Sequence, residues 1–344
     1  MLEPAYLRLM RSGELTRRVE ALDAMLDACR VCPWECGVNR KAGETKMCGA
    51  AHPLLVSSFA PHFGEEPPIS GTTRPWGEAG GSGTIFLGRC NLRCVFCQNH
   101  QISQEWDSRR EGCVTSPEGV AEMALDLQRR GCHNINFVSP THFAPQIVCA
   151  VAIAAERGLR LPLVYNTNAY DSVETLRLLD GIVDIYMPDL KYSDADIARE
   201  YSNAPDYPRH ARAAIAEMRR QVGEVLELDE RGVARRGLLV RLLILPNNLA
   251  GLRDTLEWIA TNLGRRVTLS VMSQYYPDNK VGDGRYPLLD RTITEDEHEE
   301  VLRWFEEFGF EDGYIQPLGH RAAEYYRPDF TDPDEPFKDA KDFR

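Results

Sequence analysis

No stretch of this chain is apolar for long enough to cross a bilayer as a helix. The longest apolar run, Ile147–Ala155, falls well short of the ~20 residues a spanning helix needs. Residues 1–30 are charged and amphipathic and lack the continuous apolar core of a secretory signal, so a cytoplasmic location is expected and no membrane partner. Basic residues are also in short supply, with 40 Lys and Arg against 52 Asp and Glu and a net charge of −12. That balance favours solubility and makes nucleic acid an unlikely partner. Repeats of solenoid period and low-complexity tracts are missing, which excludes the repeat architectures. What remains is an ordinary globular composition, 43% hydrophobic and 27% charged. Its 344 residues suffice for one large α/β domain with an appendage, or for two ordinary domains.

Cysteine, by contrast, is abundant: the chain has 10, at positions 29, 32, 36, 48, 90, 94, 97, 113, 132 and 149. In a reducing compartment, closely spaced cysteines more often bind metal or act in catalysis than form disulfides. Seven fall into two tight groups. Cys113, Cys132 and Cys149 lie singly and read as small apolar fillers.

Leu15, Val19, Leu22, Leu26 and Cys29 recur at helical spacing and predict an amphipathic helix over 15–29. It leads into a compact cysteine- and glycine-bearing knuckle, so residues 1–60 form an N-terminal extension. Residues 61–83 are rich in Gly and Pro and read as an irregular connector. From Thr84 the pattern changes to short apolar strands at 84–88, 134–138, 162–166, 182–187, 237–245 and 267–272, separated by helices with legible starts. Ser116-Pro117 offers a cap followed by proline, and the pairs Asp171/Glu174 and Thr294/Glu297 have capping-box spacing. Six successive β/α units predict a parallel sheet, either open and doubly wound or a partial barrel, over 84–320. Residues 321–344 read as a polar tail.

The sequence from Thr84 to Ser103, TIFLGRCNLRCVFCQNHQIS, places Cys90, Cys94 and Cys97 in one loop after a strand. A zinc site normally takes four ligands from two separated pairs. Three thiolates in one loop suit a cuboidal iron–sulfur cluster with one iron left open to chelate a small molecule. The bland reading is three ordinary thiols near a surface loop. In α/β architectures, ligands bind at the C-terminal ends of strands, where this loop stands.

The second group, Cys29, Cys32, Cys36 and Cys48, supplies four thiolates within 20 residues, with Gly37, Gly43 and Gly49 allowing a tight fold. Four thiolates fit tetrahedral zinc, and equally a fully ligated second [4Fe–4S] cluster. Unligated thiols are the third reading.

The C-x3-C-x-Φ-C loop resembles that of radical S-adenosylmethionine enzymes. The resemblance implies a [4Fe–4S] cluster on Cys90, Cys94 and Cys97, with S-adenosylmethionine chelated to the open iron and cleaved to a 5′-deoxyadenosyl radical. It places Phe96 near the adenine. The run VDIYMPDLKYSD at 183–194 resembles a strand-four motif of pyruvate formate-lyase activating enzymes. By that resemblance Asp189 meets the ribose hydroxyls or a nearby polar group, and Lys191 faces the methionyl carboxylate. Asn166-Thr167-Asn168 resembles their D-T-N-G run, with Asn166 in place of the acid and Ala169 in place of the glycine. Arg241 is costly to bury without an anion. The resemblance suggests the cofactor carboxylate, and the alternative is a structural ion pair. Gln274, Tyr275 and Tyr276 end the last strand where substrate would enter.

Ser139-Pro140-Thr141-His142 stands where many of these enzymes carry G-G-E. Backbone carbonyls or the Thr141 hydroxyl are the expected replacements, and His142 is a candidate proton carrier, since an unperturbed histidine titrates near ~6.5. The N-terminal cysteines, PHFGEEP at 61–67, NINFVSPTHF at 134–143 and SQYYP at 273–277 together resemble the pyruvate formate-lyase activating enzyme-like iron–sulfur proteins. That group implies a glycyl-radical enzyme as protein substrate and flavodoxin or ferredoxin as electron donor. The rivals are a radical enzyme acting on a small molecule or peptide, and a non-catalytic iron–sulfur scaffold or relay. The expected architecture is α/β, a partial (β/α)6 barrel with an N-terminal four-cysteine extension.

Overall fold

A computed structural model of the chain describes residues 3–71, 80–106, 114–319 and 328–330. Cys113 and most of the predicted tail 321–344 lie outside the described residues. The strands are β1 (Leu54–His62), β2 (Ser82–Leu87), β3 (Val114–Thr115), β4 (Ile135–Val138), β5 (Leu163–Thr167), β6 (Ile185–Pro188), β7 (Glu227–Leu228), β8 (Ala234–Leu243), β9 (Thr268–Met272) and β10 (Gly313–Ile315). They pair in the order β10-β9-β8-β6-β5-β4-β2-β1-β3, with β7 attached to β8. From β2 to β10 along that path every neighbour is parallel, while β1 and β3 close one edge antiparallel. The result is the open, partial barrel expected from the β/α alternation.

Each of the six predicted strands is present, shifted by a few residues at most. Their side chains alternate as a pleated strand requires. Ile135, Phe137, Leu163, Tyr165, Leu238, Val240, Leu269 and Val271 face one continuous apolar core with the outer helices Pro117–Arg129 and Ala144–Glu156. On the opposite, inner face stand the register pairs Thr84 with Asn136, Asn166 with Met187, and Arg241 with Ser270. The Ser116 side chain accepts from Gly119 N–H, and Thr294 with Glu297 forms a complete capping box.

Asp171 does not cap its helix. It is buried and accepts hydrogen bonds from Tyr165 Oη at 3.0 Å and Thr167 Oγ1 at 2.6 Å, while Ser172 takes the cap position. The helix predicted over 15–29 runs Glu14–Ala24, and a further helix that was not predicted, Tyr6–Ser12, precedes it across Gly13 at φ 74°. It ends before Cys29 because Cys29 N–H is drawn to Val38 C=O at 2.8 Å. Among the described residues, no helix is long and apolar enough to cross a membrane.

The predicted connector behaves differently from its composition. Its first residues finish β1, and Pro67–Ser70 forms a helical turn that enters the barrel. Ile69 is buried among Val164, Ile185 and Leu239, and Asn134 Nδ2 donates to Ile69 C=O at 2.8 Å, so this turn closes the N-terminal floor of the sheet. Above it Arg241 is gripped by Glu65 and by Glu66, whose carboxylate lies 2.6 Å from the guanidinium. Removing one partner of a buried ion pair typically costs ~3–5 kcal/mol. Arg241→Met is therefore expected to destabilise the fold by about that much, measured by chemical denaturation. A change below about 1 kcal/mol would show that the triad is not structural.

Asp184 pins the N-terminal extension to the barrel, accepting from Ala5 N–H at 2.8 Å and Leu163 N–H at 3.0 Å. Burial raises its carboxyl from 3.8 to about 7, against the pull of those two donors. The folded state thus holds a proton that the unfolded chain has released, so stability falls as pH rises from about 4 to about 7. Asp184→Asn, at the cost of one hydrogen bond, is expected to flatten the pH dependence of the denaturation midpoint across that window. An unchanged slope would assign it to other groups.

Candidate radical site

The C-terminal ends of the parallel strands converge at one mouth. β2 leads through Gly88 into the cysteine loop. A side chain at Gly88 would lie 2.2 Å from the Trp106 ring, so glycine is needed there. The loop is braced by backbone pairs Arg93 N–H to Ser202 C=O at 3.2 Å and Val95 N–H to Tyr201 C=O at 2.9 Å. Gln104 and Asn279 both donate to Cys94 C=O, at 2.8 and 3.1 Å.

Each thiol of the loop meets a hydrogen-bonding group. Cys90 Sγ accepts from Leu92 N–H and from Asn168 Nδ2, both at 3.4 Å. Cys94 Sγ accepts from Ser202 Oγ at 3.0 Å, and Cys97 Sγ lies 3.4 Å from Ser103 Oγ. Burial pushes the Cys97 thiol up to about 12 and raises that of Cys90, so free thiols here would be neutral. Donors aimed at sulfur suit thiolate ligands of a cluster. Among the described residues no three Cys, His, Asp or Glu side chains close on a single-ion site.

Around this loop the structure gathers several expected residues. Phe96 is buried edge-on against Tyr275, ring centroids 5.7 Å apart. Lys191 Nζ pairs with Asp189 Oδ2 at 2.7 Å. Burial opposes the Lys191 charge, but Asp189 and then Cys94 outweigh it, and its pKa rises. Tyr207 Oη ties the neighbouring strand ends together, its one proton shared between Asn168 C=O at 2.9 Å and Asp189 C=O at 2.7 Å while it accepts from Lys191 N–H. Asn166 faces the interior, half-buried at the end of β5.

Other candidate residues have partners within the chain. Arg241 is held by Glu65 and Glu66, so its charge is already met by carboxylates of the chain itself. His142 is 1% exposed, its Nε2 is 2.9 Å from Gly88 C=O, and burial lowers its pKa to about 3, so it stays neutral and anchors the cysteine loop instead of carrying protons. The Thr141 hydroxyl is turned to Thr167 Oγ1 at 3.1 Å, beneath the mouth. Asn168 serves Cys90 and Asn91, whose Oδ1 it reaches at 2.8 Å. Tyr275 Oη donates to Leu289 C=O at 2.8 Å, leaving its ring as the support of Phe96. The Gln274 side-chain oxygen accepts from Gln316 Nε2 at 3.2 Å. The sequence reading passed over Ser103, Ser202, Tyr207 and Asn91, since nothing in the local pattern separates a serine aimed at sulfur from any other.

A family model, the radical SAM superfamily, matches residues 84–259, just over half of the chain and the stretch that runs from β2 to the helix before β9. The chain belongs to the radical SAM superfamily. Membership implies a [4Fe–4S] cluster and S-adenosylmethionine, and the donors on the loop thiols fit that cluster. Among curated proteins, an uncharacterised protein of Methanocaldococcus jannaschii is 27% identical over 310 residues, 89% of this chain and 82% of its own length. A second from the same organism is 26% identical, over 77% of this chain and 75% of its own. Among solved structures, Streptococcus suis SuiB bound to S-adenosylmethionine aligns with TM-score 0.45 and 11% identity, over 67% of this chain. This radical SAM chain spans about half of SuiB, 49% of its length.

Hydrogen bonds to cluster sulfurs favour the reduced, more negative state. Asn168→Ala removes one donor from Cys90 and is expected to move the cluster's midpoint potential negative by tens of millivolts in an EPR-monitored redox titration. An unmoved potential would mean that Asn168 does not touch a cluster ligand.

Proposed function

We propose that this protein reductively cleaves S-adenosylmethionine at a [4Fe–4S] cluster held by Cys90, Cys94 and Cys97, and abstracts a hydrogen atom from a carbon of a protein partner. The observation that carries this reading is the cysteine loop itself: three thiols on one loop at the strand ends, each met by a hydrogen-bonding group. When bound, the cluster supplies one electron to the sulfonium, so that the S–C5′ bond breaks to methionine and a 5′-deoxyadenosyl radical.

The chain's own residues orient and shield. Phe96, fixed by Tyr275, offers an aromatic face for the adenine. Lys191 presents a cation to the methionyl carboxylate, kept charged by Asp189. Asn166 offers amide contacts from β5 to the nucleoside. With Thr141 and Arg241 engaged elsewhere, the methionyl amino group is left to backbone carbonyls after β4, in place of G-G-E. The likeness to activating enzymes makes a glycine Cα of a glycyl-radical enzyme the favoured hydrogen source, with flavodoxin or ferredoxin as donor of the electron.

The test is anaerobic reconstitution, reduction with dithionite and chromatography for 5′-deoxyadenosine. The wild-type chain is expected to form it, and Cys94→Ala to lose both the cluster's visible absorbance and the product. A wild-type chain that loads and reduces its cluster yet cleaves no S-adenosylmethionine would overturn the reading in favour of electron relay.

A further inference from the structure

Where the N-terminal extension meets the first cysteine loop, three arginines, Arg40, Arg89 and Arg93, lack an acidic partner among the described residues. Arg40 is 1% exposed; its guanidinium donates to the main-chain carbonyls of His142 and Ala51, the latter at 2.8 Å, and lies 5.5 Å over the Phe143 ring. Its Nε is buried with no partner. Arg93 likewise meets carbonyls, Met47 at 2.7 Å and Cys90 at 3.1 Å. Arg89 lies against Gly49, with its Nε buried and unpartnered. Among the described residues none of the three has a carboxylate within ion-pair distance, and for Arg40, the fully buried one, a bare guanidinium is strongly unfavourable.

The second cysteine group is their neighbour. Arg93 donates to Met47 C=O, Arg89 lies against Gly49 and Arg40 donates to Ala51 C=O, so the three flank Cys48 on either side. Cys29, Cys32 and Cys48 are buried, and Cys29 and Cys48 share one core. The backbone folds these thiols together: Gly37 N–H returns to Cys29 C=O at 2.9 Å, with Gly37 at φ 69°.

From this we infer that Cys29, Cys32, Cys36 and Cys48 bind a metal centre as four thiolates, and that Arg40 is its buried counter-ion. Four thiolates around Zn2+ or around an oxidised cubane leave the same double negative charge, so one charge argument covers both. No three of the thiols yet converge on a point, so uptake entails side-chain rotation. The centre would brace the first site through Trp34 Nε1 to Asn91 C=O at 2.7 Å, Arg93 to Met47, and Arg40 to His142. It does not depend on the radical reading.

The experiment uses the full chain with Cys90, Cys94 and Cys97 all changed to Ala, purified anaerobically and offered either Zn2+ or iron with sulfide. The expected result is about one zinc, or about four irons with four sulfides, per chain, lost again on adding Cys32→Ser. The metal retained distinguishes the two centres. Arg40→Met in the same background is expected to weaken retention against a chelator about tenfold, with Arg40→Lys restoring part of it. A chain that keeps its wild-type circular dichroism but holds neither metal would overturn the site. Unchanged retention in Arg40→Met would overturn the counter-ion.

Discussion

Arg241 points into the interior of the sheet from between Val240 and Leu242 near the C-terminal end of β8, where a guanidinium without an anion would cost several kcal/mol. Glu65 and Glu66 remove that cost, and they can do so only if their segment leaves the surface and enters the barrel. The same entry carries Ile69 down among Val164, Ile185 and Leu239 and closes the floor. With polar and charged groups satisfied at mid-depth and the floor sealed, the strand ends above are where bound groups find room. The ion triad therefore sets which end of the sheet is structural and which is chemical.

At the chemical end, positioning is divided between loops. The cysteine loop takes its backbone support from 201–202 and 279–280, and its sulfur contacts from Asn168, Ser103 and Ser202. Tyr207 joins the ends of β5 and β6 through two carbonyls, so Lys191 and Asn168 are placed by one hydroxyl. Few of these contacts involve the groups that would touch a substrate. The polar contacts gathered at this end hold thiols and one lysine in place, as expected where the reaction belongs to the cofactor.

The parts legible in the sequence are those governed by short-range pattern. The six parallel strands announced themselves by apolar runs, Thr294/Glu297 by capping-box spacing, and the cysteine loop by its spacing after a strand. What could not be read required a partner distant in the chain. Glu65 and Glu66 are about 175 residues from Arg241, and Gly/Pro-rich composition concealed that they turn inward. Asp171 had cap spacing, but the sheet offered it Tyr165 and Thr167, and burial with two donors won over a cap in water. His142 looked like a proton carrier because histidine can titrate near neutrality. Its burial against Gly88 removes that freedom.

The two cysteine groups look separate in sequence, yet the structure joins them through the loop after β4. Arg40 of the extension holds the His142 carbonyl, and the His142 ring holds the Gly88 carbonyl at the root of the first cysteine loop. Trp34 and Arg93 make two further links between the knuckle and residues 90–91. A histidine that stays neutral is needed at this junction, since a charged ring beside Arg40, Arg89 and Arg93 would add to a surplus of positive charge. Where the resemblance would place G-G-E, the Ser139–His142 loop thus provides a mechanical connection between the extension and the site. Departure from the family pattern after β4 and presence of the N-terminal knuckle are two sides of one arrangement.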